Sequence, residues 1–429
     1  MLYDCWRRLA GRRADETAIS DLASGRSWSF AQLATAAETL QPPPGPVVFP
    51  QGTNAEFVIS VLRGWRANAV VCPLEPAQAA PNIPASVPSQ TVHLKTTSAT
   101  TGAPRLIAFS AEQLKADADN IVATMGLRPE WPNLAIISLA HSYGFSNLVL
   151  PLLLYGVPLL LTGSALPETL RRAGQLAPDL TLAAVPALWQ TWHDAAAIPP
   201  NVRLAISAGA PLPLALEHAV FAKQGLKIHN FYGSSECGGI AYDGTSEPRT
   251  DAAFAGEAMK NVEVRIAEGG CIEVRSKAVA ESYWPEASAS LGSGVFRTSD
   301  LGEVVSGRVY LRGRASDQIN VAGRKVAPET IEAVLAMHPQ VNACLTFGVP
   351  SPDTQRGDTI VACIATGPGV AAESIRQYAM EHLPAWQVPR EWWFVESLEA
   401  NGRGKLSRAA WRQRYLQRTQ TTKGCGAPF

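Results

Sequence analysis

The 429-residue sequence has no surplus charge of either sign: 37 Lys and Arg balance 37 Asp and Glu. No global field therefore draws the chain to nucleic acid or to an anionic membrane surface. A membrane-spanning run is also lacking. The longest oily segment, LVLPLLLYGVPLLL at 148–161, is shorter than a bilayer span and is broken by Pro151, Gly156 and Pro158, which predicts buried strand and helix instead. The opening stretch, MLYDCWRRLAGRRADE, has arginines but no apolar run behind them, unlike a secretion signal. Cysteine is sparse and irregular. Cys5, Cys72, Cys237, Cys271, Cys344, Cys363 and Cys425 are odd in number and show no CxxC spacing, which argues against a disulfide framework and a zinc site. A reduced, cytoplasmic protein is the expectation.

Several familiar catalytic signatures are missing too. A phosphate loop of the G-x-x-x-x-G-K-[ST] type is excluded, because the only Gly-Lys pair, Gly404-Lys405, has Glu399 at the first glycine position and Leu406 at the hydroxyl position. There is no HExxH, no GxGxxG after a strand and no GxSxG elbow.

What the sequence does contain is a change of texture along its length. The first half alternates short apolar runs, VVFP (47–50), AVVCPL (69–74), LAIISLA (134–140) and LAAVPA (182–187), with helical patterns such as AEQLKADADNIVATM (111–125). That alternation predicts an α/β architecture of parallel strands and crossover helices. From about 255, VEVRI, CIEVRS and GEVVSGRVYLRG read as alternating strands with Gly turns, a β-rich antiparallel subdomain. After LRGRASDQINVAGRKV, the stretch APETIEAVLAMHP predicts a helix with Pro328 in its first turn and Ile331, Val334 and Leu335 on one face. VNACLTFGV then predicts a strand with Val341, Ala343, Leu345 and Phe347 on one face. The fold class expected is thus α/β, a large N-terminal domain (1–313) of α/β and β-rich subdomains, followed by a small mobile α+β domain (314–429).

One short stretch asks for chemistry. Between Thr96 and Thr101 stand five hydroxyl residues, followed by Gly102 and the cation Arg105. Hydroxyls and backbone N–H groups of such a loop can converge on one anion, although a solvated Ser/Thr linker has the same composition. Other segments decide between these readings: SLAHSYG (138–144), AISAGAPLP (205–213), NFYGSSECGG (230–239), VFRTSDLGEV (295–304), LRGRASDQINVAGRKVAPETIE (311–332) and NGRGKLSR (401–408). In this order the series closely resembles the adenylate-forming superfamily of acyl-CoA synthetases, aryl-acid ligases and nonribosomal adenylation domains, the AMP-dependent synthetase and ligase family. The resemblance runs over nearly the whole chain.

The resemblance implies an ATP-dependent carboxylate ligase. A carboxylic acid and MgATP give an acyl-adenylate and pyrophosphate, and a thiol, from coenzyme A or the phosphopantetheine of an acyl carrier protein, then displaces AMP. It implies that Thr97, Ser98, Thr100, Thr101, Gly102 and Arg105 fold over the ATP phosphates, with Thr101 among the catalytic groups. Gly209, Ala210 and Pro211 would lie along the adenine, and Phe231, Tyr232, Gly233, Ser234 and Ser235 would border the nucleotide, Tyr232 stacking on the base. Glu236 would carry Mg²⁺, since a carboxylate beside polyphosphate is intelligible only with a metal between them. Asp300, assisted by Arg314, would accept hydrogen bonds from the ribose hydroxyls. Lys405 would stabilise charge as the acyl-adenylate forms. His141, Ser142, Tyr143, Gly144, Ser207, Cys237, Gly238, Gly239 and Ile240 would wall the acyl pocket. They include no charged side chain to pair an ammonium group, which favours an aryl or aliphatic acid, such as a hydroxybenzoate-like or cinnamate-like acid, over an amino acid. Ser316 takes the hinge position, where the family usually has Asp or Lys.

Four residues depart from the family pattern: Ala99, Arg105, Ser316 and Asn401. They leave open a degenerate, non-catalytic or partner-dependent protein, or an activity that stops at the adenylate. The charged groups Glu236, Asp300, Arg314 and Lys405 are all present.

Overall fold

The computed structural model describes residues 1–39, 41, 45–83, 87–96, 105–351, 357–367, 369–398 and 407–424. The nominated Thr97, Ser98, Thr100, Thr101, Gly102 and Lys405 lie outside the described residues. The chain divides into two compact units. The larger comprises Met1–Ala267, Glu273–Thr298 and Val304–Tyr310; the smaller comprises Glu268–Ile272, Ser299–Glu303 and Leu311–Phe429.

In the larger unit a parallel sheet forms where the sequence has its continuous apolar runs. The strands Thr17–Asp21, Leu159–Leu161, Asn133–Ala135, Leu180–Ala184, Val202–Ser207 and Ile228–Ser234 lie side by side in that spatial order, all parallel. All five residues of Leu180–Ala184 are buried, as expected for a strand covered on both faces. Helices Pro167–Ala173, Pro186–Asp194 and Leu214–Gln224 connect the successive parallel strands Leu159–Leu161, Leu180–Ala184, Val202–Ser207 and Ile228–Ser234. Trp189 and Trp192 fill the core beneath them, 5.6 Å apart between ring centres. The oily segment 148–161 is buried, as its composition demands: one π-helical turn, Phe145–Val149, runs into the helix Leu150–Tyr155, which stops at left-handed Gly156 before the strand Leu159–Leu161.

A second sheet of the larger unit has the order Ser282–Trp284, Leu106–Phe109, His93–Thr96, Val70–Val71, Val47–Val48. The two strands that flank the hydroxyl-rich segment pair antiparallel, with Thr96 opposite Leu106. The next helix, Ala111–Met125, starts on a complete capping box, Ser110 accepting from Gln113 N–H and the Gln113 side chain from Ser110 N–H.

The smaller unit contains a three-stranded sheet, Val341–Pro350, Asp358–Thr366 and Glu391–Val395. Period-two alternation sends Ile360, Ala362 and Ile364 against helices Pro328–Leu335 and Ala372–His382, and Val361 and Cys363 against Trp411 of the helix Arg408–Gly424. Ile331, Val334 and Leu335 do share the buried face of their helix. The expected single face for Val341, Ala343, Leu345 and Phe347 requires correction. Leu345 and Phe347 pack on the Trp411 side, but Val341 packs with the opposite cluster. A register shift between Val341 and Ala343 inserts one residue, and one residue is enough to flip a strand's faces. Ala322 and Gly323, both at positive φ, close the two-residue hairpin between Ile319–Val321 and Arg324–Val326.

Candidate active site

In the larger unit the nominated residues gather around the hairpin Ile228–Ser234/Gly238–Tyr242. Its strands pair Tyr232 with Ala241 and Ser234 with Gly238, with a register shift between Tyr232 and Gly233. The tip is tied by its own side chains: Ser234 Oγ accepts the Glu236 N–H (3.2 Å) and lies 3.3 Å from Cys237 Sγ. The Glu236 carbonyl accepts from Ala280 N–H at 2.9 Å. These bonds fix the backbone of Glu236, so its carboxylate has few places to go.

That carboxylate accepts a hydrogen bond from Tyr283 Oη at 2.9 Å. Tyr283 lies in the strand Ser282–Trp284, opposite Ile107, and the Arg105 guanidinium stands 5.4 Å from its ring centre, within cation–π range. Burial, and then the Glu236 carboxylate, raise the Tyr283 phenol above its usual range, which keeps it protonated as a donor. The cation that closes the hydroxyl-rich segment and the nominated metal carboxylate thus meet on one tyrosine.

The wall segment is equally constrained. Gly144 follows Ser142 and Tyr143 at a point where a Cβ would fall 1.9 Å from the Ser138 carbonyl oxygen, so only glycine fits. His141 Nδ1 accepts the Tyr143 N–H at 3.2 Å, which leaves the proton of the neutral ring on Nε2. The Tyr143 ring is 5.9 Å from that of Phe231, and burial raises its phenol. His141, Ser142 and Tyr143 are partly exposed, whereas Gly144, Ser207, Cys237, Gly238, Gly239 and Ile240 are buried. Ser207 Oγ has no hydrogen-bond partner among the described residues. Burial pushes the Cys237 thiol up to about 12, which disfavours the thiolate near neutral pH. Gly209 takes positive φ at 87° in the bend after Val202–Ser207, followed by Ala210 and Pro211.

The smaller unit holds the other described candidates. Arg314 Nε donates to Asp300 Oδ1 at 2.9 Å; Asp300 lies within the strand Val295–Val305, not in a turn. Ser316 sits in the 3₁₀ turn Ala315–Asp317, its hydroxyl 3.1 Å from Asp317 Oδ1.

Comparison with known proteins fits this arrangement. The sequence profile described as AMP-binding enzyme matches residues 81–284, and that described as AMP-binding enzyme C-terminal domain matches residues 330–405. A probable 2-succinylbenzoate–CoA ligase of Mycobacterium tuberculosis (strain CDC 1551 / Oshkosh) is 31% identical over 337 residues, 75% of this chain and 83% of the relative. This chain belongs to the AMP-binding enzyme family. Its fold is that of ATP-bound MatB from Rhodopseudomonas palustris (TM-score 0.85, 20% identity, 97% of this chain and 99% of that one). It is also that of o-succinylbenzoate CoA synthetase (MenE) from Bacillus subtilis with its acyl-adenylate (TM-score 0.82, 20% identity, 95% and 97%).

Two features beside the nominated residues were not anticipated from the sequence. Tyr283 sits in ESYWPE, 47 residues from Glu236, and the bond from Ala280 N–H to the Glu236 carbonyl brings the two segments side by side. Arg408 follows Lys405 by three positions. Its Nε donates to the Thr346 carbonyl (2.8 Å), Nη1 to Asp317 (2.8 Å) and Nη2 to both oxygens of Glu332 (2.9 and 3.0 Å), and Nη1 lies 3.0 Å from Glu329. The signal available was its place in NGRGKLSR, beside the nominated lysine.

Proposed function

We propose that this protein joins a carboxylic acid to ATP and then to a thiol. A carboxylate oxygen of the acid attacks the α-phosphorus, the bond to the bridging oxygen of the β-phosphate breaks, and pyrophosphate leaves. The thiol sulfur of coenzyme A then attacks the acyl carbon, and AMP departs. The phosphopantetheine arm of a carrier protein presents the same thiol and is the alternative acceptor.

The observation that carries this reading is the line Arg105–Tyr283–Glu236, a phosphate-compatible cation and a carboxylate organised by one tyrosine, in a chain of the AMP-binding enzyme family. Glu236 supplies one hard oxygen ligand, which suits Mg²⁺, an ion that combines one or two carboxylates with phosphate oxygens and waters. When bound, that ion supplies charge neutralisation for the leaving pyrophosphate. Arg105 and the hydroxyl-rich segment hold the phosphates, Asp300 and Arg314 the ribose, and Lys405 the charge that develops between carboxylate and α-phosphate. Ser316 is the hinge about which the domain bearing Lys405 alternates between the two half-reactions.

The acid is aryl in this reading. Tyr143 and Phe231 bring aromatic rings to the wall, and the relative named for 2-succinylbenzoate points the same way. The test is acid-dependent pyrophosphate release from MgATP across aryl, fatty and amino acids, with and without coenzyme A. Release with aryl acids that becomes continuous only with coenzyme A is expected. Turnover of amino acids alone would overturn the substrate class, and silence across the panel despite ATP binding would favour a non-catalytic binding protein.

A further inference from the structure

Behind the hairpin that carries Glu236 the larger unit buries a lysine and a carboxylate, neither of which has a part in the chemistry above. Lys95 and Asp117 have side chains only 3% and 1% exposed. Lys95 Nζ lies 3.8 Å from Asp117 Oδ2, donates to Ser146 Oγ at 3.4 Å and stands 4.4 Å from the Phe109 ring centre. Ser146 Oγ in turn donates to Asp117 Oδ2 at 2.6 Å. The other carboxylate oxygen, Oδ1, accepts the Gly239 N–H at 3.3 Å. Gly238 is left-handed (φ 69°), and a Cβ there would lie 1.9 Å from that same oxygen.

Four segments therefore meet on one charge couple: the strand His93–Thr96, the helix Ala111–Met125, the π-helical turn that follows the wall residues Ser142–Gly144, and the start of the strand Gly238–Tyr242 just after Glu236. Stability does not account for it. A buried ion pair commonly breaks even or loses against apolar residues of the same volume, and this ammonium, with three donors, meets one hydroxyl, one carboxylate and a ring face. What the couple does provide is direction. A carboxylate that accepts from Gly239 and from Ser146 sets the strand start Gly238–Gly239, beside Glu236, against the π-helical turn after the wall residues to within a hydrogen-bond length.

We propose that the Lys95–Asp117 couple is a positioning group for acyl-adenylate formation, holding the Glu236–Gly239 segment in register with the wall segment Ser142–Val149. The inference rests on the ligase reading, and its test separates the two. The variants are Lys95→Met, Asp117→Asn and the double variant, each measured for thermal unfolding and for acid-dependent ATP–pyrophosphate exchange. An inactive parent protein overturns the ligase reading and this role with it; an active parent leaves the variants to decide the role. Each single variant loses stability, since it strands one charge. The double variant regains the parental unfolding temperature, yet its exchange kcat stays about 10- to 100-fold down with the KM for MgATP little changed, the usual consequence of a small misplacement. Recovery of kcat together with stability in the double variant overturns the proposal and leaves the couple a structural filler. Should the double variant fail to fold, Ser146→Ala decides, with amide hydrogen exchange at Gly239 as a readout independent of turnover. Faster exchange with lower kcat upholds the role, and parental values of both overturn it.

Discussion

Two basic residues, one buried and one partly buried, stand close in sequence to the two nominated catalytic segments: Lys95 two positions before Thr97, and Arg408 three positions after Lys405. Their surroundings differ most in the carboxylates they meet. Lys95 faces one carboxylate at 3.8 Å, whereas Arg408 meets Asp317, Glu329 and Glu332, all within 3.0 Å. Burial lowers the Lys95 ammonium, and the attraction of Asp117 and Glu236 does not restore it. Burial acts on Arg408 in the same direction, but Glu332, Glu329 and Asp317 outweigh it and raise the guanidinium above its ordinary value. The acids are affected as well: burial raises the Glu332 carboxyl, and Arg408 only partly opposes this. One carboxylate is too little to offset the desolvation of an ammonium, and three suffice for a guanidinium whose planar fork meets several oxygens at once. The larger unit thus keeps a charge that a modest perturbation can unseat, and the smaller unit locks its own.

Substitutions break the comparison at different points. The largest effect is expected at Lys405 itself: Lys405→Ala lowers adenylation by about 10²- to 10³-fold, the scale of losing one preorganised charge, and spares thioester formation from preformed acyl-AMP. Equal loss of both half-reactions would contradict a lysine that serves only the first. Next comes Arg408→Met, which leaves three partly buried acids without their shared cation and costs about 1–3 kcal/mol of folding stability, the scale of leaving hydrogen-bonded charged groups unpaired. Denaturant unfolding followed by the smaller unit's Trp393 and Trp411, whose rings pack together, measures this. A loss below 1 kcal/mol would mean the lock is not tight.

Asp117→Asn sharpens the contrast through pH. The Lys95 ammonium, already lowered, loses its attraction to Asp117 and keeps that to Glu236, with His93 nearby on its own strand. A base whose folded pKa lies below its unfolded value binds fewer protons in the native state, so stability rises with pH across the interval between the two. The unfolding-temperature deficit of Asp117→Asn should therefore shrink as pH climbs from 7 towards 10, and a deficit that is constant or grows would refute the assignment. The corresponding Arg408 acids offer no such relief at high pH.

Tyr283→Phe is a smaller change. It removes one hydrogen bond to a charged acceptor and raises the KM for MgATP by roughly 10-fold, read by pyrophosphate exchange at varied Mg²⁺; an unchanged KM would remove Tyr283 from the site. The smallest effect is expected at His93. Burial, reinforced by Lys95, holds its imidazole well below the usual range, and neither ring nitrogen has a hydrogen-bond partner among the described residues. The unfolded chain gains a proton there as pH falls below about 6.5 while the folded chain does not, so stability is lost in that direction. His93→Phe should lessen the loss between pH 7 and 5, as thermal unfolding across that range will reveal.

The sequence by itself determined the order of strands and helices, the family and the identity of the charged groups, because apolar periodicity and turn residues are local signals and a motif is a string. Parallel strands, the helix at 111–125 and the change of texture near 255 were legible for that reason. Tertiary structure decided what the strings meet. The bulge that turns Val341 away from Leu345 is one inserted residue with no local signature. Tyr283 reaches Glu236, Asp117 reaches Gly239 and Arg408 reaches Asp317 across 47, 122 and 91 residues of chain. A carboxylate's partner is set by which backbones are brought within a hydrogen-bond length, and that follows from the packing of whole strands and helices, which no short stretch of the chain encodes alone.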